Sequence, residues 1–213
     1  ASVLETLRPD VCFNALHGRY GEDGLIQGIL EILAIPYTHS GVLASSLAMD
    51  KPVAKQLFDA AGLRCADGRI FSRQEVLDGA TYPRPFVIKP LNEGSSVGVT
   101  IILENENRNL QDIPWTFGNE VLIETYIPGR EIQVAVMGDQ ALGAVEIRPL
   151  GRFYDYEAKY TEGKAEHLMP APLPKDRYEE VLEMALTAHK VLGCRGVSRS
   201  DFRLDDDGDG TGD

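Results

Sequence analysis

A loop of small residues beside a lysine is the first feature of this sequence that could do chemistry. Segment 86–89 is typical of a buried strand that ends on Lys89, and segment 99–103 of a returning strand. Between them, residues 93–98 read Glu-Gly-Ser-Ser-Val-Gly, whose backbone N–H groups can surround an anion beside the lysine charge. It is not a Walker A loop, because no Gly-Lys-Ser/Thr follows. A hairpin loop with glycines for its turn geometry is the alternative interpretation.

Five other polar residues lie where a site could form. His17 occupies a glycine-rich segment between a predicted strand and a predicted helix, and both a ligand contact and a structural histidine remain open. Glu124 and Glu131 flank a Pro-Gly link, although each alone is typical of a solvated charge. Arg199 and Asp201 share one face of a predicted strand. A surface ion pair is the commoner interpretation, since one carboxylate cannot hold Mg²⁺ alone.

The acidic end of the chain contains half of a calcium-loop pattern. Asp205, Asp207, Asp209 and Gly210 match the first half of an EF-hand loop. A strand is predicted before this segment where an EF-hand needs a helix, and the sequence stops before the required glutamate. The pattern therefore favours a solvated turn.

Composition excludes several classes of protein. The 213 residues fit one large or two small domains, and a hydrophobic content of 43% allows a real core. A net charge of −12 argues against non-specific nucleic-acid binding. Three cysteines far apart are typical of reduced thiols in a cytoplasmic protein. We expect no membrane contact, because no apolar run approaches the ~20 residues that cross a bilayer, and no signal peptide is visible at the first residues.

The elements that must position these residues begin with a β–loop–α–β order. Segment 11–16 is apolar and predicts a strand covered on both faces, followed by a helix over 25–33 and a short strand at 35–37. Further along, Asp50 is predicted to cap a helix over 52–61. The sequence then predicts a capping box between Ser72 and Glu75 and a β-hairpin turn at 138–139. A long helix over 174–193 and a last strand over 197–204 are predicted to follow. Segment 148–164 has no clean period and predicts a functional or disordered loop.

Taken in order, six motifs resemble the ATP-grasp family, and more closely its D-alanine–D-alanine ligases. They occupy residues 17–24, 49–51, 87–98, 123–131, 153–160 and 193–201, which extends over nearly the whole chain. The resemblance implies an α+β ATP-grasp fold with the remnant of an α/β, Rossmann-like N-terminal domain. It implies three parts: a substrate-domain remnant at 1–50, a central nucleotide-clamping domain at 51–127, and a C-terminal catalytic domain at 128–213.

By this resemblance the protein joins two D-alanines to D-alanyl-D-alanine through an acyl phosphate, at the expense of ATP, for peptidoglycan precursors. Tyr160 favours the dipeptide, because a histidine is expected there in relatives that make D-alanyl-D-lactate. A ligase for D-lactate, D-serine or another amine is the first alternative. A nucleotide- or calcium-binding module without catalysis is the second alternative. The implied partners are D-alanine and ATP, with no nucleic acid or membrane, and a homodimer is allowed.

The resemblance also implies roles for named residues. Lys51, Lys89 and Lys159 would hold the ATP phosphates. Glu124 would accept from the adenine amino group, and Glu131 would bind the ribose hydroxyls. The remaining cofactor contacts would come from the closing loop and from the link after Glu124, namely Glu93, Gly94, Ser95, Ser96, Val97, Thr125, Tyr126 and Ile127.

Catalysis would rest on Ser95, Tyr160 and Arg199, with Tyr160 bonded to Ser95 to hold a lid closed. His17, Tyr154, Tyr160 and Arg199 would contact the substrate. Asp201 would be a ligand for one of two magnesium ions, which manganese can replace.

Two departures from the family pattern concern the ends of the sequence. The family has a Glu-x-Asn magnesium motif after the last strand and a glycine-rich strand and loop at the N-terminus, and neither occurs in residues 1–213. About half of the magnesium site is therefore missing from this sequence. We expect a polypeptide of these residues alone to be inactive or barely active.

Overall fold

A computed structural model of the protein describes residues 2–94, 97–106, 108–113, 115, 118–149 and 165–205. Four helices occupy its N-terminal part: α1 (Ser2–Leu7), α2 (Leu25–Ile32), α3 (Val42–Met49) and α4 (Lys51–Ala60). Asp50 caps α4 as predicted, since its carboxylate accepts from the backbone N–H of Val53 at 3.1 Å. The cap fixes Lys51 as the first residue of α4, beside the first of the two sheets.

The predicted strands at 11–16 and 35–37 are wrong. Within the described residues this region forms only an isolated parallel bridge between Cys12 and Tyr37. Phe13 is 78% exposed, so the segment is not covered on both faces. An apolar run becomes a buried strand only where neighbours supply ladder hydrogen bonds and covering layers, and the described residues around 11–16 supply a single bridge.

The first sheet contains four antiparallel strands in the order β1–β4–β2–β3. They are β1 (Gly68–Ser72), β2 (Phe86–Pro90), β3 (Thr100–Ile102) and β4 (Glu120–Thr125), with helix α5 (Arg73–Leu77) after β1 and a 3₁₀ turn at Leu110–Asp112. The capping box at Ser72 and Glu75 is confirmed at the start of α5. Side chains from these strands and from α5 form a compact core, namely Phe71, Val76, Phe86, Ile88, Ile102 and Ile123.

The second sheet has the order β7–β6–β5–β8 and is also antiparallel. Its strands are β5 (Arg130–Met137), β6 (Gln140–Pro149), β7 (Ala165–Leu168) and β8 (Val197–Leu204). The predicted hairpin at 138–139 is confirmed, because Met137 pairs with Gln140. β6 continues two residues into segment 148–164, which was predicted as a loop, and residues 150–164 lie outside the described residues.

One face of the second sheet is covered by helix α6 (Lys175–Val191) and the other carries polar side chains. Ile132, Val134 and Val136 of β5 are fully buried against Val181 and Ala185 of α6. The alternate residues of β5 point to the opposite face. There the register pairs Glu131 with Arg203, Gln133 with Asp201 and Ala135 with Arg199. The predicted period of two in β8 is therefore confirmed, and it gathers charged groups on one surface.

The N-terminal part touches the second sheet just before β8. The hydroxyl of Ser40 donates to the carbonyl of Arg195 at 3.1 Å, and the Arg195 N–H donates to the Ser40 hydroxyl oxygen at 3.3 Å. Gly196 has a φ of +65°, and a Cβ there would lie 2.2 Å from the carbonyl oxygen of Thr38, so only glycine fits without a shift. Among the described residues, the helices are all too short or too polar to cross a bilayer.

Candidate active site

Glu124 lies at the centre of a cluster of lysines on the first sheet. It is only 5% exposed, on β4. Lys89 of β2 forms an ion pair with one of its carboxylate oxygens, and Lys55 of α4 with the other. The strand register explains the first contact: Lys89 pairs with Leu122 and Val87 with Glu124, so Lys89 and Glu124 are diagonal neighbours on one face. The structure thus brings together two residues that were predicted to bind opposite ends of the nucleotide.

Lys51 joins this cluster from the start of α4. Its Nζ donates to the carbonyl of Glu93 at 2.5 Å, and its backbone N–H donates to the carbonyl of Leu91 at 3.2 Å. Burial lowers the pKa of Lys51 to about 8, the positive charge of Lys89 adds to this lowering, and Glu124 opposes it. Lys55 and Lys89 contact the buried carboxylate of Glu124, while the charges of Glu124, Glu93 and Asp50 all favour the protonated form of Lys51.

The glycine-rich loop lies against the segment that contains His17. A Cβ on Gly94 would lie 3.4 Å from the Cα of Gly18, the residue next to His17. The N–H of Val97 donates to the carbonyl of Gly94 at 3.1 Å. Five predicted site residues lie outside the described residues: Ser95, Ser96, Tyr154, Lys159 and Tyr160.

The link between the two sheets is held from both sides. On the side of the first sheet, the N–H of Thr125 donates to the carbonyl of Asp67 at 2.8 Å. On the other side, Arg203 of β8 donates to the carbonyl of Ile127 and to the hydroxyl of Tyr126, both at 3.2 Å. Arg203 also lies 3.8 Å from the carboxylate of Glu131. Arg203 therefore connects three residues that were predicted to bind the nucleoside.

Arg199 and Asp201 form a bidentate ion pair on the polar face of the second sheet. Arg199 donates to the two carboxylate oxygens of Asp201 at 2.7 and 3.1 Å. Both side chains are exposed, and both project from a paired strand, which limits their movement. The arrangement presents a cation and a hard oxygen ligand side by side.

Two family models match the chain. The model for the C-terminus of D-Ala–D-Ala ligases matches residues 63–211, and the model for the N-terminus of the same ligases matches residues 3–40. The chain belongs to the D-alanine–D-alanine ligase family. Both family membership and the ATP-grasp α+β class predicted from the six motifs are therefore confirmed.

Individual relatives agree with this membership. A D-alanine–D-alanine ligase of Paramagnetospirillum magneticum is 57% identical over 205 residues, which are 96% of this chain and 67% of the relative. The VanG D-Ala:D-Ser ligase of Enterococcus faecalis has a TM-score of 0.76 at 35% identity, over 93% of this chain and 61% of that one. A D-alanine–D-alanine ligase of Bacillus anthracis complexed with ATP has a TM-score of 0.72 at 33% identity, over 92% and 65%.

The chain thus spans about two thirds of the length of the D-alanine–D-alanine ligases that it matches. The function predicted from the sequence, the joining of two D-alanines, agrees with the names of these D-alanine–D-alanine ligases. The ligand roles given above to Lys51, Lys89, Glu124, Glu131 and Asp201 stay predictions, as does the division into parts at 50/51 and 127/128.

The described residues supply only part of a site for Mg²⁺. Asp201 offers a carboxylate on a rigid strand, whereas a cluster of three acidic, histidine or cysteine side chains able to hold a metal does not occur among the described residues. Mg²⁺ is commonly held by one or two carboxylates together with substrate phosphates. Asp201 fits as one such ligand, and the phosphates and water would supply others.

Sequence reasoning missed Lys55 and Arg203. Lys55 follows Lys51 by four residues, so the two side chains share one face of α4. Arg203 follows Asp201 by two residues, which puts it on the same face of β8 as Arg199. Both spacings were visible in the sequence and could have drawn attention to these residues. Their partners were not visible, because the contacts depend on how separate elements pack.

Proposed function

We propose that the protein joins two D-alanines to D-alanyl-D-alanine at the expense of ATP, as a step in peptidoglycan precursor synthesis in the cytoplasm. The observation that carries the proposal is the group of Lys51 and Lys89 beside the glycine-rich loop, next to the His17 segment. Such a group of fixed cations is suited to a polyphosphate, and the neighbouring segment to a small substrate. Membership of the D-alanine–D-alanine ligase family supports both the phosphate site and the substrate site.

The reaction has two steps whose atoms balance. A carboxylate oxygen of the first D-alanine takes the γ-phosphoryl group of ATP, and the bond between this group and ADP breaks. The amine of the second D-alanine then forms a bond to the acyl carbon, phosphate leaves, and the amine loses a proton. Negative charge accumulates between the triphosphate and the carboxylate, so cations fixed in advance lower the barrier.

In this proposal each described residue has one task. Lys51 and Lys89 bind the β- and γ-phosphates, and Arg199 neutralises charge on the transferring phosphoryl group. Glu124 accepts from the adenine amino group, for which its oxygens retain acceptor capacity beyond the two lysine contacts. Glu131 binds the ribose hydroxyls from its place beside Arg203. When bound, Mg²⁺ would supply charge neutralisation at the phosphates, with Asp201 as one ligand.

The pH dependence of ATP use tests the role of Lys51. The pKa of Lys51 is about 8, so its side chain carries a positive charge below this pH and loses the charge above it. We expect kcat/KM for ATP to fall as pH rises through about 8, because this parameter reports the ionisation of the free enzyme. The measurement is a profile from pH 6.5 to 10.5 at saturating D-alanine.

The matched variant is Lys51→Arg, whose guanidinium stays charged throughout that range. It should move the descending limb of the profile above pH 10 or abolish it. A descending limb that stays near pH 8 in Lys51→Arg would assign the ionisation to another group and contradict the role of Lys51.

Phosphate release on addition of D-alanine tests the proposed activity itself. The full-length polypeptide is assayed with ATP and Mg²⁺, with D-alanine as substrate and L-alanine as the control. D-Serine and D-lactate are offered in competition, and the products are separated by mass, since the VanG D-Ala:D-Ser ligase resembles this chain at 35% identity. We expect D-alanyl-D-alanine as the main product. Main products containing D-serine would replace the proposal by that second ligase function, and no D-alanine-dependent phosphate would end it.

A further inference from the structure

Glu124 has more cationic partners than its ion-pairing requires. A buried carboxylate without a partner is costly, because removing the partner of a buried charge strongly destabilises a protein. One well-placed lysine is enough to avoid this cost. Glu124 nevertheless contacts two, Lys55 and Lys89, one at each oxygen. One of the two lysines is therefore available for a task other than neutralising Glu124.

The two lysines are held differently. The Nζ of Lys55 donates to the carbonyl of Ala66 as well as to Glu124, so Lys55 has an anchor that does not depend on the carboxylate. Lys89 lies on the other side of Glu124, towards Lys51, and its charge helps to lower the pKa of Lys51. Lys89 is thus repelled by Lys51, a residue proposed to bind the phosphates, whereas Lys55 has a second acceptor in the carbonyl of Ala66.

The proposed function gives Lys89 two competing anions, the phosphates and Glu124. If Lys89 were the sole partner of Glu124, its single positive charge would have to be shared between the phosphates and a buried carboxylate. Lys55 removes this conflict, because it remains on Glu124 when Lys89 turns to the phosphates.

We propose that Lys55 is a positioning residue that neutralises buried Glu124 from the side of Ala66 and thereby frees Lys89 to bind the polyphosphate of the nucleotide. The inference rests on the proposed function, since it assumes that Lys89 binds phosphate. It assigns to Lys55 no contact with the nucleotide. Its effect on binding is exerted entirely through Glu124.

The proposal predicts that the effect of replacing Lys55 depends on the presence of the Glu124 carboxylate. Direct phosphate binding by Lys55 would not produce this dependence. In Lys55→Met, Glu124 retains Lys89, and the nucleotide must compete for that lysine. We expect the Kd for a non-hydrolysable ATP analogue to rise by about tenfold, the factor typical of one lost charge-assisted contact. In a Glu124→Gln background there is no buried anion to retain Lys89, so the same Lys55→Met change should alter the Kd by less than about twofold.

A double-mutant cycle by calorimetry on the full-length polypeptide measures this coupling. The four proteins are wild type, Lys55→Met, Glu124→Gln and the double variant, each titrated with the ATP analogue and with adenosine. Lys55→Arg, which keeps the charge, should bind the analogue within about threefold of wild type. Lys175→Met is the control, because Lys175 is an exposed lysine of α6. Adenosine affinity should change little in Lys55→Met, since Lys89 still neutralises Glu124 and leaves it as the acceptor for the adenine amino group.

Equal weakening by Lys55→Met in both backgrounds would overturn the proposal, as would an unchanged Kd in the wild-type background. If Lys55→Met does not fold by circular dichroism, Lys55→Gln takes its place in the cycle, since its amide is neutral yet can still donate. A wild-type protein that binds no ATP analogue would refute the proposed function itself, an outcome distinct from bound nucleotide without coupling.

Discussion

Replacing Lys89 by alanine is expected to lower kcat/KM for ATP by about 100-fold or more, the range found when one fixed electrostatic contact to a transition state is removed. Lys89 extends from β2 beside the glycine-rich loop and next to Lys51. Glu124 keeps Lys55 in this variant, so the fold should survive. Steady-state kinetics of the full-length polypeptide with ATP varied at saturating D-alanine give the value.

Lys175→Ala is the matched control for Lys89→Ala, since it removes an equal charge from the exposed surface of α6. It should leave kcat/KM within about twofold, because exposed ion pairs contribute roughly 0–1 kcal/mol. A loss of less than about fivefold in Lys89→Ala, with the protein folded, would remove Lys89 from the phosphate site.

Replacing Arg199 by alanine is expected to lower kcat by about 100- to 1000-fold with little change in thermal stability. Activity should fall without a matching loss of thermal stability, because the Arg199–Asp201 ion pair is exposed and such pairs add little to stability. The role proposed for Arg199 is confined to the transition state, so the KM for ATP should change far less than kcat. Kinetics and a thermal melt on the same preparation measure both quantities.

Arg177→Ala serves as the control for Arg199→Ala, because Arg177 also donates to a carboxylate, that of Glu180, away from the polar face. Its kcat should equal that of wild type. If Arg199→Ala kept kcat within threefold, or if its kcat fell only in proportion to a loss of folded protein, Arg199 would be a structural ion-pairing residue.

Local rules were sufficient for several elements of the fold. The cap at Asp50, the hairpin turn at 138–139 and the alternation of β8 each depend on residues a few positions apart. For this reason the sequence predicted that Asp50 caps a helix, which the structure begins at Lys51, and that Arg199 and Asp201 share a face. The six motifs extended this to the family, which the family models confirm.

The contacts that organise the candidate site could not be predicted in the same way. Lys89 meets Glu124 because β2 and β4 adopt one particular register, and Lys55 reaches Glu124 because α4 packs beside the first sheet. Neither fact is local in sequence. The failed prediction at 11–16 has a related cause: whether an apolar run becomes a buried strand depends on neighbouring elements, and the described residues supply only the bridge between Cys12 and Tyr37.

A crystal structure of the full-length protein with a non-hydrolysable ATP analogue tests the central claim most directly. We predict phosphate oxygens at hydrogen-bond distance, ~3 Å, from the Nζ atoms of Lys51 and Lys89, with Glu124 still paired to Lys55. The claim is contradicted if the nucleotide binds elsewhere while Lys51 and Lys89 keep their contacts with Glu93 and Glu124.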